Sequence, residues 1–132
     1  MKMPNQPAQH TDEATSVKDL RETVRQFVEE RDWRQFHSPK NLSMALAIEA
    51  AELMEHFQWI SPEESRDLDD SAKLEVGEEL ADVLCYTLAI ANEMDIDLAS
   101  TLQSKMIKNR AKYPVEEYRG RFGDADTNPV SE

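Results

Sequence analysis

The chain has 132 residues and a formal net charge of −12, a length that fits one domain or one subunit of an assembly. This acidity argues against electrostatic binding of a nucleic-acid polymer, because no basic patch dominates. Cys85 is the one cysteine, which excludes a disulfide framework within the chain and favours a reducing cytoplasm. No stretch approaches the roughly 20 apolar residues of a membrane span, and the N-terminus lacks an apolar signal core, so neither a membrane location nor secretion is expected.

The first part of the chain predicts a polar tail and one helix. Three glycines and long runs of Ala, Leu, Glu and Met favour helix throughout, since no segment alternates at period two. Residues 1–14 predict a flexible N-terminal tail. Ser16 and Asp19 resemble a capping box that starts the first helix, which ends near Arg31. Its apolar stripe consists of Val17, Leu20, Val24, Phe27 and Val28.

The connector after this helix is rich in aromatic side chains. Trp33, Phe36 and His37 either cover an edge of the core, which is the commoner case, or form one wall of a base-binding pocket. A serine–proline pair at residues 38–39 predicts the start of a second helix, which runs to the residue before Trp59. This helix is apolar on more than one face, a pattern typical of burial in a bundle or an oligomer.

The rest of the chain is also predicted to be helical. A second serine–proline pair, at residues 61–62, predicts a short helix or turn. A long helix spans about residues 72–94. Asp95 or Asp97 caps a last helix, from about residue 98 to residue 113. The polar cluster near its C-terminal half complements the helix dipole in part and consists of Lys105, Lys108, Asn109 and Arg110.

Two acidic pairs lie within otherwise apolar helical runs, Glu49 with Glu52 and Glu79 with Asp82. Residues three apart share one helix face, so one ion can contact both carboxylates of a pair. If the two helices face each other, four like charges in apolar surroundings need a cation, and oxygen ligands favour Mg²⁺ or Mn²⁺. Tyr86 extends this face by one turn. The alternative is that the acids are simply solvated, because charged residues are mostly exposed.

Three further motifs accompany these pairs, namely RDWRQFH at residues 31–37, EHFQW at residues 55–59 and KMIKNRAKYP at residues 105–114. Each motif is weak alone, but their order and spacing over residues 16–114 resemble the MazG-like all-α nucleoside triphosphate pyrophosphohydrolases, and most closely the dCTP pyrophosphatase branch. The resemblance implies an all-α four-helix-bundle subunit at residues 15–114, a flexible tail at residues 115–132, and a homodimer or homotetramer.

The same resemblance implies a reaction and a set of residues. The reaction is Mg²⁺-dependent hydrolysis of a nucleoside triphosphate, dCTP or a modified pyrimidine deoxynucleotide, to the monophosphate and pyrophosphate. Glu52 or Glu55 would activate the water. The implied metal ligands and catalytic residues are Glu49, Glu52, Glu79 and Asp82. The implied substrate contacts are Trp33, Arg34, Gln35, Phe36, His37, Trp59 and Tyr86 at the nucleoside, and Lys105 and Asn109 at the phosphates.

Two positions depart from the family pattern. Val24 stands where dCTP-hydrolysing relatives carry a histidine that contacts substrate, and valine donates no hydrogen bond. Ile48 precedes Glu49 where many MazG proteins carry another glutamate. These differences leave the preferred base and the number of carboxylates near the metal open.

Two other functions are compatible with a helical acidic chain. A di-iron carboxylate bundle usually contributes Glu-x-x-His from two helices. Here Leu53 stands three residues before His56, and neither His10 nor His37 has a glutamate at that offset. The other alternative is a non-enzymatic helical adaptor, in which the acids are solvated and the aromatic residues form a partner surface.

Overall fold

The computed structural model describes residues 10–121, and the regular elements in that range are all helical, which confirms the predicted all-α class. A 3₁₀ turn at Arg34–Phe36 follows the first helix. The chain divides into two compact units after Ile96, and each is described by itself. The α-helices are α1 (Val17–Glu30), α2 (Pro39–Glu55), α3 (Pro62–Ser65), α4 (Asp70–Met94), α5 (Leu98–Lys112) and α6 (Val115–Tyr118).

Side-chain caps set the helix starts at the predicted places. The Ser16 hydroxyl accepts the Asp19 amide at 3.1 Å, and the Asp19 carboxylate accepts the Ser16 amide at 3.0 Å. The same reciprocal box starts α3. Of the two candidates for α5, Asp97 is the cap, because its carboxylate accepts the Ser100 amide at 2.9 Å. Asp95 instead ends α4 in the left-handed conformation, with φ at 52°.

The first unit is built on α4, which packs against both α1 and α2. Within the described part of this unit, the buried apolar side chains are few, namely Val24, Leu42, Leu88, Ala89 and Ala91. Large apolar side chains of the same helices remain exposed, among them Ile48 on α2 and Leu80 and Leu84 on α4. A single subunit therefore buries a small core and leaves apolar helix faces uncovered. No helix of the described range is both long and apolar enough to cross a membrane.

The second unit ends in a helical turn where the sequence predicted a tail. Val115–Tyr118 forms α6 after Pro114. Tyr118 packs edge-on against Tyr113, with ring centroids 5.1 Å apart, and such aromatic pairs are favourable. A four-residue segment is too short for hydrophobic periodicity to indicate this turn. The remainder of the two predicted tails, residues 1–9 and 122–132, lies outside the described residues.

Arg21 links α1 to the C-terminal end of α4 by hydrogen bonds, a role that the sequence did not indicate. Its guanidinium donates to the Asn92 side-chain oxygen at 3.0 Å, to the Ala91 carbonyl at 3.0 Å and to the Ile96 carbonyl. The Asn92 amide donates back to the Arg21 carbonyl at 3.1 Å. A cation at this position also favours the negative end of the α4 dipole.

We expect Arg21→Ala to lower the free energy of unfolding by about 2–3 kcal/mol, since hydrogen bonds to a charged group contribute roughly 1.5–3 kcal/mol each and are not additive. Urea denaturation followed by circular dichroism measures the change. Lys18→Ala removes an exposed cation from the same helix and is the control, with an expected change within about 0.5 kcal/mol. Equal destabilisation by the two substitutions would contradict the role assigned to Arg21.

Candidate metal centre and adjoining cavity

The first unit brings the acidic side chains of α2 and α4 together. Glu49, Glu79 and Asp82 each offer a carboxylate oxygen, and the three oxygens lie within 4.8 Å of one another. Glu52 adjoins this group, because its side chain is within hydrogen-bonding reach of both Glu49 and Glu79. We call these four side chains the acidic cluster. The spacing of three residues within each helix puts both members of a pair on the face that meets the other helix.

The acidic cluster holds a proton more tightly than isolated carboxylates do. A hydrogen bond with Glu52 is the largest cause that raises the pKa of Glu49, to about 7, and burial and the charges of Glu52, Asp82 and Glu79 add to it. Burial is the largest cause of the raised pKa of Glu79, and the charge of Glu52 comes next. Proximity of like charges and loss of water both disfavour the ionised form.

Two oxygens of the acidic cluster lack a hydrogen-bond donor. Glu49 Oε2 and Glu79 Oε2 are buried without a hydrogen-bond partner in the described range. Ionised carboxylates cannot donate to one another, so either a shared proton or a cation is needed to balance them. The ligand set contains only oxygen, which suits a hard divalent ion such as Mg²⁺ or Mn²⁺. The residues present therefore fit a divalent metal ion.

Two further side chains lie in the electrostatic field of the cluster. Burial raises the pKa of the Tyr86 hydroxyl, and the charge of Glu49 raises it further, which locates Tyr86 beside the acids as its spacing predicted. The sequence analysis considered His56 as part of the EHFQW motif and as a possible iron ligand, but not as a neighbour of the acidic pairs. In the structure it is close enough to Glu79 to oppose the rise in the pKa of that carboxyl. Its spacing of four residues from Glu52 was the signal that could have indicated this position.

A cavity opens between α1, the connector and α4. It encloses about 100 Å³, and about 480 Å³ together with its open mouth. Val24 and Ala89 are its buried apolar members. We call it the α1–α4 cavity; its lining residues are Val24, Arg25, Val28, Glu29, Arg34, His37, Ala89, Asn92 and Glu93.

The α1–α4 cavity and the acidic cluster share one face of α4. Asp82, Tyr86, Ala89 and Glu93 follow at intervals of four, three and four residues, which places them on one side of the helix. At about 1.5 Å per residue, Ala89 lies roughly 10 Å along the axis from Asp82 and Glu93 roughly 16 Å. An elongated ligand lying along α4 could therefore contact both the acids and the cavity.

The predicted nucleoside contacts are only partly gathered at this face. Arg34 and His37 line the α1–α4 cavity, and Tyr86 lies beside the acids. Trp33 packs edge-on against Phe27, with ring centroids 5.6 Å apart, and its ring lies 6.2 Å from the His37 ring. Trp33 thus packs on α1, and its contact with substrate stays a prediction.

Three other predicted nucleoside contacts lie outside the α1–α4 cavity. The Gln35 amide donates to the Asp32 carbonyl at 3.0 Å, and Asp32 itself has the left-handed conformation, with φ at 52°. Phe36 is 60% exposed and Trp59 is 87% exposed. Contact of Gln35, Phe36 and Trp59 with substrate stays a prediction.

The predicted phosphate contacts belong to the second unit. Lys105 is exposed on α5 and lines a shallow surface depression with Ser100, Thr101, Ser104 and Lys108. Asn109 is half-buried on the same helix. Their contact with phosphates stays a prediction.

Comparison with known proteins identifies the family. The profile of the MazG-like family matches residues 44–122. The chain belongs to the MazG-like family. This result confirms the resemblance inferred from the acidic pairs and their companion motifs. The matched MazG-like range includes the acidic cluster, Trp59 and Tyr86, whereas α1 and the connector precede it.

Individual relatives agree with this MazG-like assignment. Mouse dCTP pyrophosphatase 1 is 39% identical over 122 residues, covering 89% of this chain and 72% of the relative. Human dCTP pyrophosphatase 1 is 41% identical over 102 residues, covering 76% of this chain and 60% of the relative. The crystal structure of a pyrophosphatase from Archaeoglobus fulgidus is 37% identical, with a TM-score of 0.70, and covers 86% of this chain and 99% of that one.

Proposed function

We propose that this MazG-like chain is a nucleoside triphosphate pyrophosphohydrolase that uses Mg²⁺, or alternatively Mn²⁺. Its substrate is dCTP or a modified pyrimidine deoxynucleotide, its products are the monophosphate and pyrophosphate, and its role is to clean the nucleotide pool. The observation that carries the proposal is the acidic cluster, in which two buried carboxylate oxygens lack a donor. Similarity to proteins named dCTP pyrophosphatase 1 and pyrophosphatase supports this reading.

The side chains of the acidic cluster have separate tasks in this reaction. Glu49, Glu79 and Asp82 hold the divalent ion, which when bound offsets phosphate charge and polarises the α-phosphorus. Glu52 accepts a proton from the water whose oxygen attacks the α-phosphorus in line, as the bond to the bridging oxygen of the β-phosphate breaks and pyrophosphate leaves. Glu52 is preferred over Glu55 because it adjoins Glu49 and Glu79, whereas Glu55 is exposed.

We infer that the active protein is a homodimer or homotetramer. Leu80 and Leu84 on α4, and Ile48 on α2, are exposed apolar side chains, and apolar surface of this kind favours association. A Cβ added at Gly77 would meet no atom within 4 Å, so a helix of a second copy can approach α4 closely there. Assembly would also give the exposed Trp59 a neighbour.

Light scattering tests this inference and should give a multiple of the 15.2 kDa subunit mass. A monomer would contradict the inference.

A pyrophosphate-release screen tests the proposed activity. Canonical and modified deoxynucleoside triphosphates are incubated with the protein and Mg²⁺ or Mn²⁺, and we expect release with dCTP or a modified pyrimidine and none after chelation of the metal. Hydrolysis in H₂¹⁸O should place the label in the monophosphate, because the water attacks the α-phosphorus. Label in inorganic phosphate would contradict the stated bond cleavage.

The same screen separates the enzyme from its alternatives. If no triphosphate is hydrolysed and none raises the melting temperature in Mg²⁺, the proposal is wrong and a non-enzymatic adaptor is favoured. Oxygen-dependent optical bands after addition of Fe²⁺ would instead favour a di-iron centre. A Glu49→Gln protein purified in parallel controls for contaminating phosphatases.

A further inference from the structure

The α1–α4 cavity has the size for one part of a nucleotide. Its enclosed volume is about 100 Å³, whereas pockets that take a whole drug-sized ligand have roughly 300–1,000 Å³. Its floor at Val24 and Ala89 is apolar and buried, which suits the face of an aromatic ring. If the phosphates lie at the acidic cluster, the base is the part that reaches this cavity, since two turns of α4 separate Asp82 from Ala89.

Asn92 is one of the polar side chains that α4 contributes to the cavity, and its side-chain groups are already hydrogen-bonded to α1. Its side-chain oxygen accepts from Arg21 at 3.0 Å and from Arg25 at 3.2 Å, and its amide donates to the Arg21 carbonyl at 3.1 Å. These bonds tie α4 to α1 and leave Asn92 little capacity for a ligand. Asn92 therefore holds one wall of the cavity in place, and the neighbouring Glu93 carboxylate is the acceptor that remains for a ligand to compete for.

Glu93 supplies that carboxylate. Its side chain is only 21% exposed, and its contact is Arg34, whose Nε lies 3.4 Å from Oε1. This separation exceeds the usual 2.7–3.2 Å of an N–H···O hydrogen bond, and the Arg34 side chain is 74% exposed, so the pair is weak. A ligand that donates a hydrogen bond can therefore compete for Glu93.

The cavity places a hydrogen-bond acceptor, Glu93, next to side chains that can donate. Glu93 accepts only, while the neighbouring Arg34 and His37, which also line the cavity, can donate. Cytosine offers an exocyclic amine next to ring acceptors, and carboxylates accept from that amine, whereas uracil presents a carbonyl oxygen at the same position.

Resting on the proposed function, we propose that Glu93 is a specificity-determining residue that selects cytosine by accepting a hydrogen bond from its exocyclic amine. His37 donates to the ring acceptors beside the amine, and Val24 and Ala89 contact the face of the ring. A single-ring base is favoured by the enclosed volume. A deoxyuridine nucleotide would leave the half-buried Glu93 carboxylate opposite a carbonyl oxygen, which costs binding because neither of these two groups can donate.

Paired measurements on dCTP and dUTP test this role, because the two nucleotides differ only at the base edge that carries the amine and the adjoining ring nitrogen. Wild-type protein should have the higher kcat/KM for dCTP. Glu93→Gln should lower the dCTP to dUTP ratio of kcat/KM by at least about fivefold, since a good base contact discriminates by roughly 1–3 kcal/mol. Glu93→Leu, which has no acceptor, should lower the ratio further. Calorimetry should show that wild-type protein binds dCMP more tightly than dUMP and that the Glu93 variants lose this preference. The measurement does not depend on turnover.

Two control variants separate base selection from a structural role. Arg34→Gln removes the ion pair with Glu93 and should keep the preference for cytosine, whereas a merely structural pair would make Arg34→Gln and Glu93→Gln alike. Glu30→Gln alters an exposed carboxylate of α1 and should leave the ratio unchanged.

An unchanged dCTP to dUTP ratio in both Glu93 variants, or an equal loss for both nucleotides, would overturn the assignment while the proposed activity stands. If wild-type protein hydrolyses neither nucleotide, the proposed activity on dCTP fails, and the binding of dCMP and dUMP still decides the role of Glu93.

Discussion

Glu49→Gln is expected to lower kcat by at least about a hundredfold while the helices remain folded. An amide oxygen is a weaker ligand for a divalent ion than a carboxylate, and such an ion contributes several kcal/mol of charge stabilisation in the transition state. About 1.36 kcal/mol corresponds to a tenfold change in rate. Folding should be unharmed, because the pKa of Glu49 is raised to about 7 and its charged form is therefore disfavoured in the folded protein.

Glu78→Gln is the matched control for this experiment. Glu78 precedes Glu79 on α4 but is exposed, so its substitution changes the net charge equally without removing a ligand. Mg²⁺ should raise the melting temperature of wild-type protein and of Glu78→Gln, and much less that of Glu49→Gln or Asp82→Asn. Hydrolysis by Glu49→Gln at nearly the wild-type rate in added Mg²⁺ would show that Glu49 is not a ligand.

Local sequence signals account for the helices and for the acidic cluster. The capping box of Ser16 and Asp19 is a contact between residues three apart, so the chain specifies it without knowledge of the rest of the fold. The acids were predictable for the same reason, because spacing fixes which side chains share a helix face. Spacing alone does not show whether the acidic face of α2 meets the acidic face of α4. In the structure α2 packs against α4, and the two faces meet.

Contacts between distant parts of the chain were not predictable in this way. Arg21 and Asn92 are separated by 71 residues, and neither belongs to a motif that indicates the other. The same holds for Glu93, which reaches the α1–α4 cavity only because α1 packs beside it. The connector was not predictable in detail for another reason: hydrophobic periodicity does not indicate the left-handed backbone conformation of Asp32, or the hydrogen bond that the Gln35 amide donates to the Asp32 carbonyl.

Mg²⁺ binding is expected to be about tenfold weaker at pH 6 than at pH 8. A ligand must lose its proton before it binds a metal, and the pKa of Glu49 is raised to about 7, mainly by its hydrogen bond with Glu52. A single group with that pKa is mostly protonated at pH 6 and mostly ionised at pH 8. The raised pKa of Glu79 acts in the same direction. Calorimetry in two buffers of different ionisation enthalpy should detect proton release on binding, larger at pH 6.

The metal-free protein should show the opposite trend in its own stability. Because the folded-state pKa of Glu49 lies above the unfolded value of 4.5, this group stabilises the fold below about pH 4.5, and the contribution is lost as the pH rises through 7. Glu49→Gln should remove that component between pH 6 and pH 8, and the comparison of the two proteins separates it from any pH effect that they share. Equal stabilisation of wild-type protein by Mg²⁺ at pH 6 and pH 8 would mean that the protonated carboxyl lies outside the metal site.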